Sequence, residues 1–550
     1  MSVLCAAVLA LSGVAGAGTT VDVTGPRRLG TLVVPDLRAT LARVETLASV
    51  VTPGAMPPGA LAQGLAAKLK DPGLAGLGRG PLVVVLLAGA SPAGPPAVTV
   101  FVPVSNPEPY EAALAALGFQ VRRAEGLVVG SSASVPALDD DYRRIEGEPF
   151  AGDLRLSLNA VDIMDTYGDM IHAGLDTVTA GLAARAPDAK ALPGPSPAAA
   201  GKILQLEVKA FLLLLEQVES VAVDVGLQQG AVVSETLIAA RPGSALAELA
   251  TQPPAGPHGA AALLSRPALM AATYQMDGSR LSAFAASLAR RAAGDPQTAA
   301  LVTPDLLALL DQMGRAFTGE AAVGMRAGSD TPLAAETVMK VRDETAALAV
   351  MEKSAALLAP GGAWHALYAD LGLPLRVALQ KNVRGRGGVP VHRFTMTLEA
   401  TGLSAEQRAQ YALFMRDTEF AIARGTFLSA QEPAALDALI DRATARGSRA
   451  ALPLQAVRAF GDGAQAYLDY DVVGLIRSVM GALPLAAGTP NPFAALPPTE
   501  SHPLMYAAWL AEGRIRLQTK MPLRPFALMV ETFKKAAPGK VTPGDTKPPR

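Results

Sequence analysis

Residues 32–51, LVVPDLRATLARVETLASVV, contain the pattern that decides the fold: a short apolar strand that ends in Asp36, followed at once by an amphipathic helix. The same order recurs three times, in LSLNAVD ending at Asp162, ATYQMD ending at Asp277 and AYLDYD ending at Asp471. A carboxylate in front of a helix accepts hydrogen bonds from the free N–H groups of the first turn. We therefore predict that each of these four aspartates caps a helix.

Two strands and a second helix follow each capped helix, as in LVVVLLA, AVTVFVPV and NPEPYEAALAAL of the first copy. Pro or Asp opens these second helices, and Pro loses no hydrogen bond at that position. The order β-α-β-β-α is that of ferredoxin-like, split β-α-β units, in which helices cover one face of an antiparallel sheet. The sequence therefore predicts an α+β fold built from repeated units.

The recurrence of this order divides the chain. We predict four α+β units, at residues 18–150, 151–257, 258–455 and 456–537. The third unit is longer than the others, which we assign to an insertion around residues 355–455. Two Pro- and Ala-rich segments, 185–201 and 484–503, have the composition of linkers or lids, and the polar tail 538–550 is predicted to be disordered.

An uncharged apolar run opens the chain. Residues 3–17, VLCAAVLALSGVAGA, are too few to span a bilayer and end in the small residues of an A-x-A site. This pattern is typical of a signal peptide cleaved between Ala17 and Gly18, although no Lys or Arg precedes the run. We therefore predict removal of residues 1–17 and a periplasmic or secreted protein. The alternative is a buried N-terminal helix, which the glycines of the run disfavour.

The composition excludes several classes of function. Cys5 is the only cysteine and lies in the apolar run, so the mature chain would have neither disulfides nor thiolate metal sites. No later run reaches 18 apolar residues, so we predict no transmembrane segment in the mature chain. The 48 basic and 49 acidic residues give a net charge of −1, which supplies no field to attract nucleic acid. We predict no nucleic-acid partner.

An acidic stripe is the first candidate for a metal site. Its members recur at helical spacing and are Asp162, Asp165, Asp169, His172 and Asp176. Carboxylates and an imidazole on one helix face can hold a divalent cation. Apolar residues fill the opposite face, however, and the solvated side of an amphipathic helix has the same composition. We favour the solvated face and predict neither a metal nor a cofactor.

A basic hairpin, KNVRGRGGVPVHR (381–393), is the second candidate site. It carries four cations, Lys381, Arg384, Arg386 and Arg393. The glycines among them allow a backbone nest, to which the cations would add charge for binding an anion. A solvated hairpin tip needs the same glycines, and we favour that interpretation.

The sequence contains no recognised catalytic motif. None of the five histidines lies in H-E-x-x-H, no G-x-S-x-G elbow occurs, and Gly201-Lys202 lacks the Ser or Thr of a phosphate loop. We therefore assign no catalytic residue and expect a protein that is not an enzyme. An enzyme whose site is assembled from different units would escape this reasoning, because its residues would be distant in the chain.

Three segments are apolar on more than one face: KAFLLLLEQVESVAV (209–223), which we expect to be helical, ALLSRPALMAATY (262–274) and PLMYAAWLAEG (503–513). Such elements are buried between layers or line a hydrophobic cleft. A cleft of this kind would bind a lipid, a peptide or a partner subunit.

The chain resembles a family of exported bacterial proteins defined only as a domain of unknown function. The likeness lies in AVTVFVPVSNPEPYEAALAALG with GLVVGSS, and in AAETVMKVRDETAALAVMEKSAALL with EFAIARGTFLSAQEPAALDALI. It consists of hydrophobicity and turn patterns, and it implies export and duplicated α+β halves without any catalytic residue. We expect an exported, non-catalytic cell-envelope protein that binds a protein partner or a hydrophobic ligand. The alternatives are a periplasmic enzyme and a structural spacer.

Overall fold

A computed structural model gives the fold of the chain. The described residues are 27–54, 56–89, 94–132, 139–148, 152–184, 197–294, 296–299, 302–329, 331–370, 375–398, 416–445, 454–482, 491, 493–494, 496 and 502–536. The apolar run 3–17, which is predicted to be a signal peptide, and the tail 538–550 lie outside these residues. So does most of the segment 484–503.

The first half of the chain contributes eight strands to the sheet: β1 (Arg28–Val34), β2 (Leu82–Leu87), β3 (Ala97–Pro103), β4 (Gln120–Ala124), β5 (Leu127–Ser131), β6 (Leu154–Asn159), β7 (Val218–Gln228) and β8 (Ala231–Ala240). Its helices are α1 (Leu37–Val51), α2 (Ala60–Leu69), α3 (Glu108–Ala116), α4 (Asp139–Glu146), α5 (Ala160–Ala184), α6 (Pro197–Leu215) and α7 (Ala245–Leu249). α6 begins inside the segment 185–201, whose composition predicts a linker, because Pro197 is at the first position of the helix, where it is tolerated.

The second half contributes ten strands: β9 (Met270–Gln275), β10 (Phe317–Arg326), β11 (Ala334–Val341), β12 (Leu375–Arg386), β13 (Val389–Leu398), β14 (Thr418–Ala423), β15 (Thr426–Ala430), β16 (Ala466–Tyr470), β17 (Leu504–Ala511) and β18 (Arg514–Pro522). Its helices are α8 (Gly278–Ala292), α9 (Pro296–Ala299), α10 (Pro304–Ala316), α11 (Glu344–Leu358), α12 (Ala363–Asp370), α13 (Pro433–Thr444), α14 (Gln455–Phe460), α15 (Val472–Ala482) and α16 (Arg524–Ala536). The α+β class is confirmed.

The 18 strands found among the described residues join one antiparallel sheet, to which each of the four predicted units contributes. The spatial order is β4-β5-β3-β2-β1-β6-β7-β8-β18-β17-β16-β9-β10-β11-β15-β14-β13-β12. The outermost strands carry basic side chains, Arg122 and Arg123 in β4 and several Arg with Lys381 in β12, which discourages pairing with another chain.

The two halves have the same strand neighbours. β1 lies between β2 and β6 as β9 lies between β10 and β16, and β5 pairs with β3 and β4 as β15 pairs with β11 and β14. The halves meet where β8 pairs with β18. Gly230 and Gly513 turn the matching hairpins at φ angles of 77° and 73°. Within the region of the predicted insertion, the elements without a counterpart among the described residues of the first half are α12 and the hairpin β12–β13. That the halves arose by duplication stays a prediction.

Strand pairing within the units differs from that of a split β-α-β unit. In a split unit the strands that a helix connects run parallel, whereas β1 and β2 are antiparallel neighbours, as are β6 and β7, and β9 and β10. The reason is the number of helices between them. One helix returns the chain to the end of the sheet where the first strand began, and a second helix carries it back, so the next strand runs antiparallel. These connections contain α1 with α2, α5 with α6, and α8 with α10.

Helices pack on both faces of the sheet at its two flanks. In the first half, α1, α2 and α3 cover one face, while Tyr142 and Ile145 of α4 pack on the other against Val83 and Phe101. In the second half, α10 and α11 cover the first face and α13 and α14 the second. The prediction of helices covering an antiparallel sheet is confirmed, and the structure adds a helical layer on the opposite face of each flank.

Three of the four predicted aspartate caps are confirmed. Asp36 accepts from the Ala39 amide at 2.9 Å, Asp277 from the Ser279 amide at 2.8 Å, and Asp471 from the Gly474 amide at 2.9 Å. The prediction for Asp162 is wrong, because α5 begins at Ala160 and Asp162 lies within its first turn. The cap is Asn159, whose side-chain oxygen accepts from the Asp162 amide at 3.0 Å.

Candidate functional site

The helix pair α5–α6, which connects β6 to β7, forms one wall of a groove. The two helices pack side by side, and α6 also packs against α8. The groove between α6 and the end of α8 has a volume of about 550 Å³. We call it the helix groove, and it is lined by His172, Val208, Lys209, Leu212, Leu213, Glu216, Arg291, Ala292, Gly294 and Thr298.

One wall of the helix groove is apolar because Val208, Leu212 and Leu213 recur at helical spacing along α6. Glu216 and Arg291 lie across the groove from each other, with Oε2 and Nη1 3.4 Å apart. Both side chains are partly exposed, so this ion pair is at the solvent side of the groove. The arrangement combines an apolar wall with a charged rim.

A smaller pocket of about 240 Å³ continues the helix groove along α5 and shares His172 and Glu216 with it. Asp165, Asp169 and Arg241 belong to its lining. Three members of the acidic stripe, Asp165, Asp169 and His172, therefore line a concave surface. The sequence favours a freely solvated helix face for the stripe, whereas these three side chains line a pocket.

The remaining members of the acidic stripe lie elsewhere. Asp162 accepts a hydrogen bond of 2.5 Å from the Asn159 amide group, and Arg27 Nη1 lies 3.9 Å from Asp162 and 3.5 Å from Asp165. The side chain of Asp176 lies outside the described residues. Within the described part of the chain, no three His, Cys, Asp or Glu side chains come close enough together to hold a metal ion.

The cations of the basic hairpin are bound to carboxylates. Arg384 contacts Glu419 at 2.7 Å and Asp437 at 2.5 Å, and Arg393 contacts Glu419 at 2.7 Å. Arg386 pairs with Asp441 at 2.6 Å, and Lys381 pairs with Glu352 at 2.5 Å. These ion pairs attach the hairpin β12–β13 to β14, α13 and α11. An anion at this hairpin would compete with carboxylates that the protein already supplies.

Glu419 is the most buried carboxylate of this cluster, with its side chain 3% exposed. Burial by itself would raise its pKa, but hydrogen bonds from Arg384 and Arg393 outweigh burial, and the pKa is lowered. Glu419 is therefore ionised at neutral pH. Its role is structural, because its two oxygens are shared between two guanidinium groups.

A second cavity, of about 440 Å³, lies beside His258 and Tyr467. His258 Nε2 donates to the Ala464 carbonyl at 2.9 Å, and Nδ1 lies 3.1 Å from Thr273 Oγ1. The edge of one ring meets the face of the other at 5.1 Å between His258 and Tyr467. Both ring nitrogens therefore have partners within the protein. His258 links its own segment to Thr273 of β9 and to the backbone at Ala464.

Sequence reasoning missed several groove residues, namely Lys209, Glu216 and Arg291. It does identify the apolar segment 209–223, but the segment is not one helix: α6 ends at Leu215, and β7 begins at Val218, where valines alternate with smaller or polar residues. Segment 503–513 likewise contains strand β17. The available signal was Lys209 and Glu216, the charged residues that flank the apolar run 210–215 at the end of α6.

Comparisons of the chain with protein-family models, with curated proteins and with solved structures gave no match. The resemblance to an exported family of unknown function therefore stays a prediction. None of the helices in the described ranges is long and apolar enough to cross a bilayer.

Proposed function

We propose that the protein is an exported, non-catalytic binding protein that takes a hydrophobic ligand in the helix groove. The observation that supports this proposal is the groove itself, about 550 Å³ in volume with an apolar wall on α6. Sites for small organic ligands have volumes of roughly 300–1,000 Å³ and combine apolar walls with a few polar groups. The helix groove has this size and composition.

The distribution of polarity favours an amphipathic ligand. Val208, Leu212 and Leu213 offer contact to an apolar chain, while Lys209 and the Glu216–Arg291 pair lie where a polar end would meet solvent. A fatty-acid-like molecule has this division, because its apolar part gains free energy from burial and its head keeps its hydration.

A dansyl-labelled undecanoic acid is a suitable probe for the helix groove. We expect saturable fluorescence enhancement with the full chain and displacement by unlabelled long-chain fatty acid. Leu213→Trp fills the groove and should weaken binding about tenfold or more, since it removes the volume that the apolar chain needs. Phe211→Trp is the matched control, because Phe211 is on the same helix but 60% exposed and outside the groove lining. Absence of saturable binding, or equal loss in both variants, would contradict the proposal.

Export is supported by the apolar run 3–17 with its A-x-A site. Intact-mass measurement of the protein purified from its native host tests it. We expect a chain that begins at or near Gly18. A chain that retains residues 1–17 and is recovered with cytosolic proteins would contradict export.

One observation favours the enzyme alternative. His172 and Glu216 come from the second predicted unit and Arg291 from the third, so the helix groove gathers titratable groups from two units. Against it, Glu216 and Arg291 already form an ion pair. Hydrolysis of p-nitrophenyl esters by the wild type, abolished in His172→Gln without a change in the unfolding midpoint, would favour the enzyme over the binding protein. A structural spacer, the remaining alternative, would not need a groove of this size.

A further inference from the structure

A third cavity, of about 350 Å³, lies at the ends of β9, β10 and β11 near the β14–β15 turn. Four polar residues form a row across its side of the sheet. Gln275 lies opposite Glu320 on neighbouring strands, and Lys340 lies opposite Thr426. β10 adjoins β11, so the row reads Gln275, Glu320, Lys340, Thr426, with about 4.8 Å between successive strands.

The polar atoms of this row are incompletely used within the protein. Gln275 Oε1 is buried and has no hydrogen-bond partner among the described residues. Glu320 accepts from the Ala260 amide through Oε1 at 2.6 Å, and Lys340 Nζ lies 3.4 Å from Thr426 Oγ1. Neither Glu320 nor Lys340 takes part in any of the ion pairs found within the described ranges. A buried acceptor without a donor is costly, so a ligand that supplies the donor is favoured.

Acceptors and donors are separated along the row. Gln275 and Glu320 contribute oxygens at one end of the cavity, and Lys340 contributes an ammonium at the other. A simple anion would be repelled by Glu320, and a simple cation by Lys340. Only a ligand that carries both charges side by side satisfies both ends.

We propose that this cavity binds a free α-amino acid. Its ammonium donates to Gln275 Oε1 and Glu320, and its carboxylate accepts from Lys340, in charge-assisted hydrogen bonds. Thr426 lies behind the lining and accepts from Lys340 at 3.4 Å, which positions the ammonium of Lys340. Thr318 and Gly425 complete the lining with Met276 and Val341, and the last two offer apolar contact to a short aliphatic side chain. This site is separate from the helix groove and does not rest on the function proposed for it.

Isothermal titration of the full chain with L-valine tests the site. We expect saturable binding of L-valine. N-acetyl-L-valine lacks the ammonium and L-valinamide lacks the carboxylate, so each should bind about tenfold or more weakly than L-valine. These analogues test the chemistry without altering the fold. Absence of saturable binding of L-valine, or binding of both analogues as tight as that of L-valine, would overturn the proposal.

Variants assign the binding to this cavity. Lys340→Met and Glu320→Gln should each weaken L-valine binding about tenfold or more, and the second substitution keeps a side-chain oxygen for the Ala260 amide. Lys353→Met is the control, because Lys353 pairs with Asp305 at 3.8 Å and does not line the cavity. An unchanged affinity in folded Lys340→Met would overturn the assignment.

Discussion

The two halves of the sheet share their strand neighbours and differ in what connects the strands. In the first half, β6 leads to β7 through the long helices α5 and α6, and the helix groove lies beside them. At the equivalent place in the second half, between β16 and β17, the helix that the structure describes is α15, of 11 residues. Equivalent strands thus carry unequal connections. The difference shows that the sheet supplies a frame and that the connections supply the candidate binding surface.

The flanks of the two halves differ in their electrostatics. β4 is the edge of the first half, and its Gln120, opposite Ser131, is exposed. In the second half β14 occupies the equivalent place, and its Glu419, opposite Ala430, is covered because β13 and β12 extend the sheet beyond it. The added hairpin buries a carboxylate and brings the arginines that neutralise it.

The largest expected effect comes from breaking this buried cluster. Glu419→Gln leaves Arg384 and Arg393 without their shared carboxylate, and we expect a loss of about 3 kcal/mol in the free energy of unfolding. The control is the equivalent position of the first half, where Gln120→Ala should change the free energy of unfolding by less than about 0.5 kcal/mol. Urea unfolding followed by circular dichroism measures both. Equal losses of unfolding free energy in Glu419→Gln and Gln120→Ala would contradict the electrostatic difference between the two flanks.

A smaller effect is expected from acid. The folded-state pKa of Glu419 is lowered, so its contribution to stability is present above the unfolded-state pKa and is lost as the pH falls through the folded value. The thermal unfolding midpoint of the wild type should therefore decrease as the pH is lowered below about 4.5. The decrease should be less steep in Glu419→Gln. Glu111 of the first half is the comparison. Arg123 also lowers its pKa, but the Glu111 side chain is 26% exposed and pairs with one guanidinium, so Glu111→Gln should change the slope less than Glu419→Gln does. An identical acid profile in wild type and Glu419→Gln would contradict this account.

The smallest effects distinguish equivalent helix starts. Asp36→Ala and Asp277→Ala, one in each half, should each cost about 0.5–2 kcal/mol, and the Asn variants less, because an amide oxygen still accepts. At the start of α5, Asn159→Ala should cost more than Asp162→Asn, since Asn159 is the cap. Thermal or urea unfolding measures the six changes. A larger loss of unfolding free energy in Asp162→Asn than in Asn159→Ala would show that Asp162 is the cap.

The sequence allowed the helix starts to be predicted where cap and helix are adjacent, as at Asp36 and Asp277. It failed at Asp162 because Asn159 and Asp162 both have side chains suited to capping and lie three positions apart, so the sequence does not show which of them precedes the helix. It did not predict that β6 and β7 are direct antiparallel neighbours, because the second helix of their connection begins at Pro197, in a segment with the composition of a linker. Arg384 and Glu419 are 35 residues apart in the chain, and no local pattern relates them. The polar row of the third cavity could not be predicted either, because its residues come from β9, β10, β11 and β15. Only the strand pairing of the folded sheet brings them together.

The joint between β8 and β18 has a consequence for the synthesis of the protein. Glu235 and Arg516, which bridge these strands, are 281 residues apart. Chains are synthesised at roughly 5–20 residues per second, so β8 waits on the order of 15–60 s for its partner. During this time the growing chain has an open strand at the edge of its first half, which can pair with other unfinished chains. This delay makes a chaperone that covers β8 an advantage, and it makes truncation before residue 514 a route to aggregation.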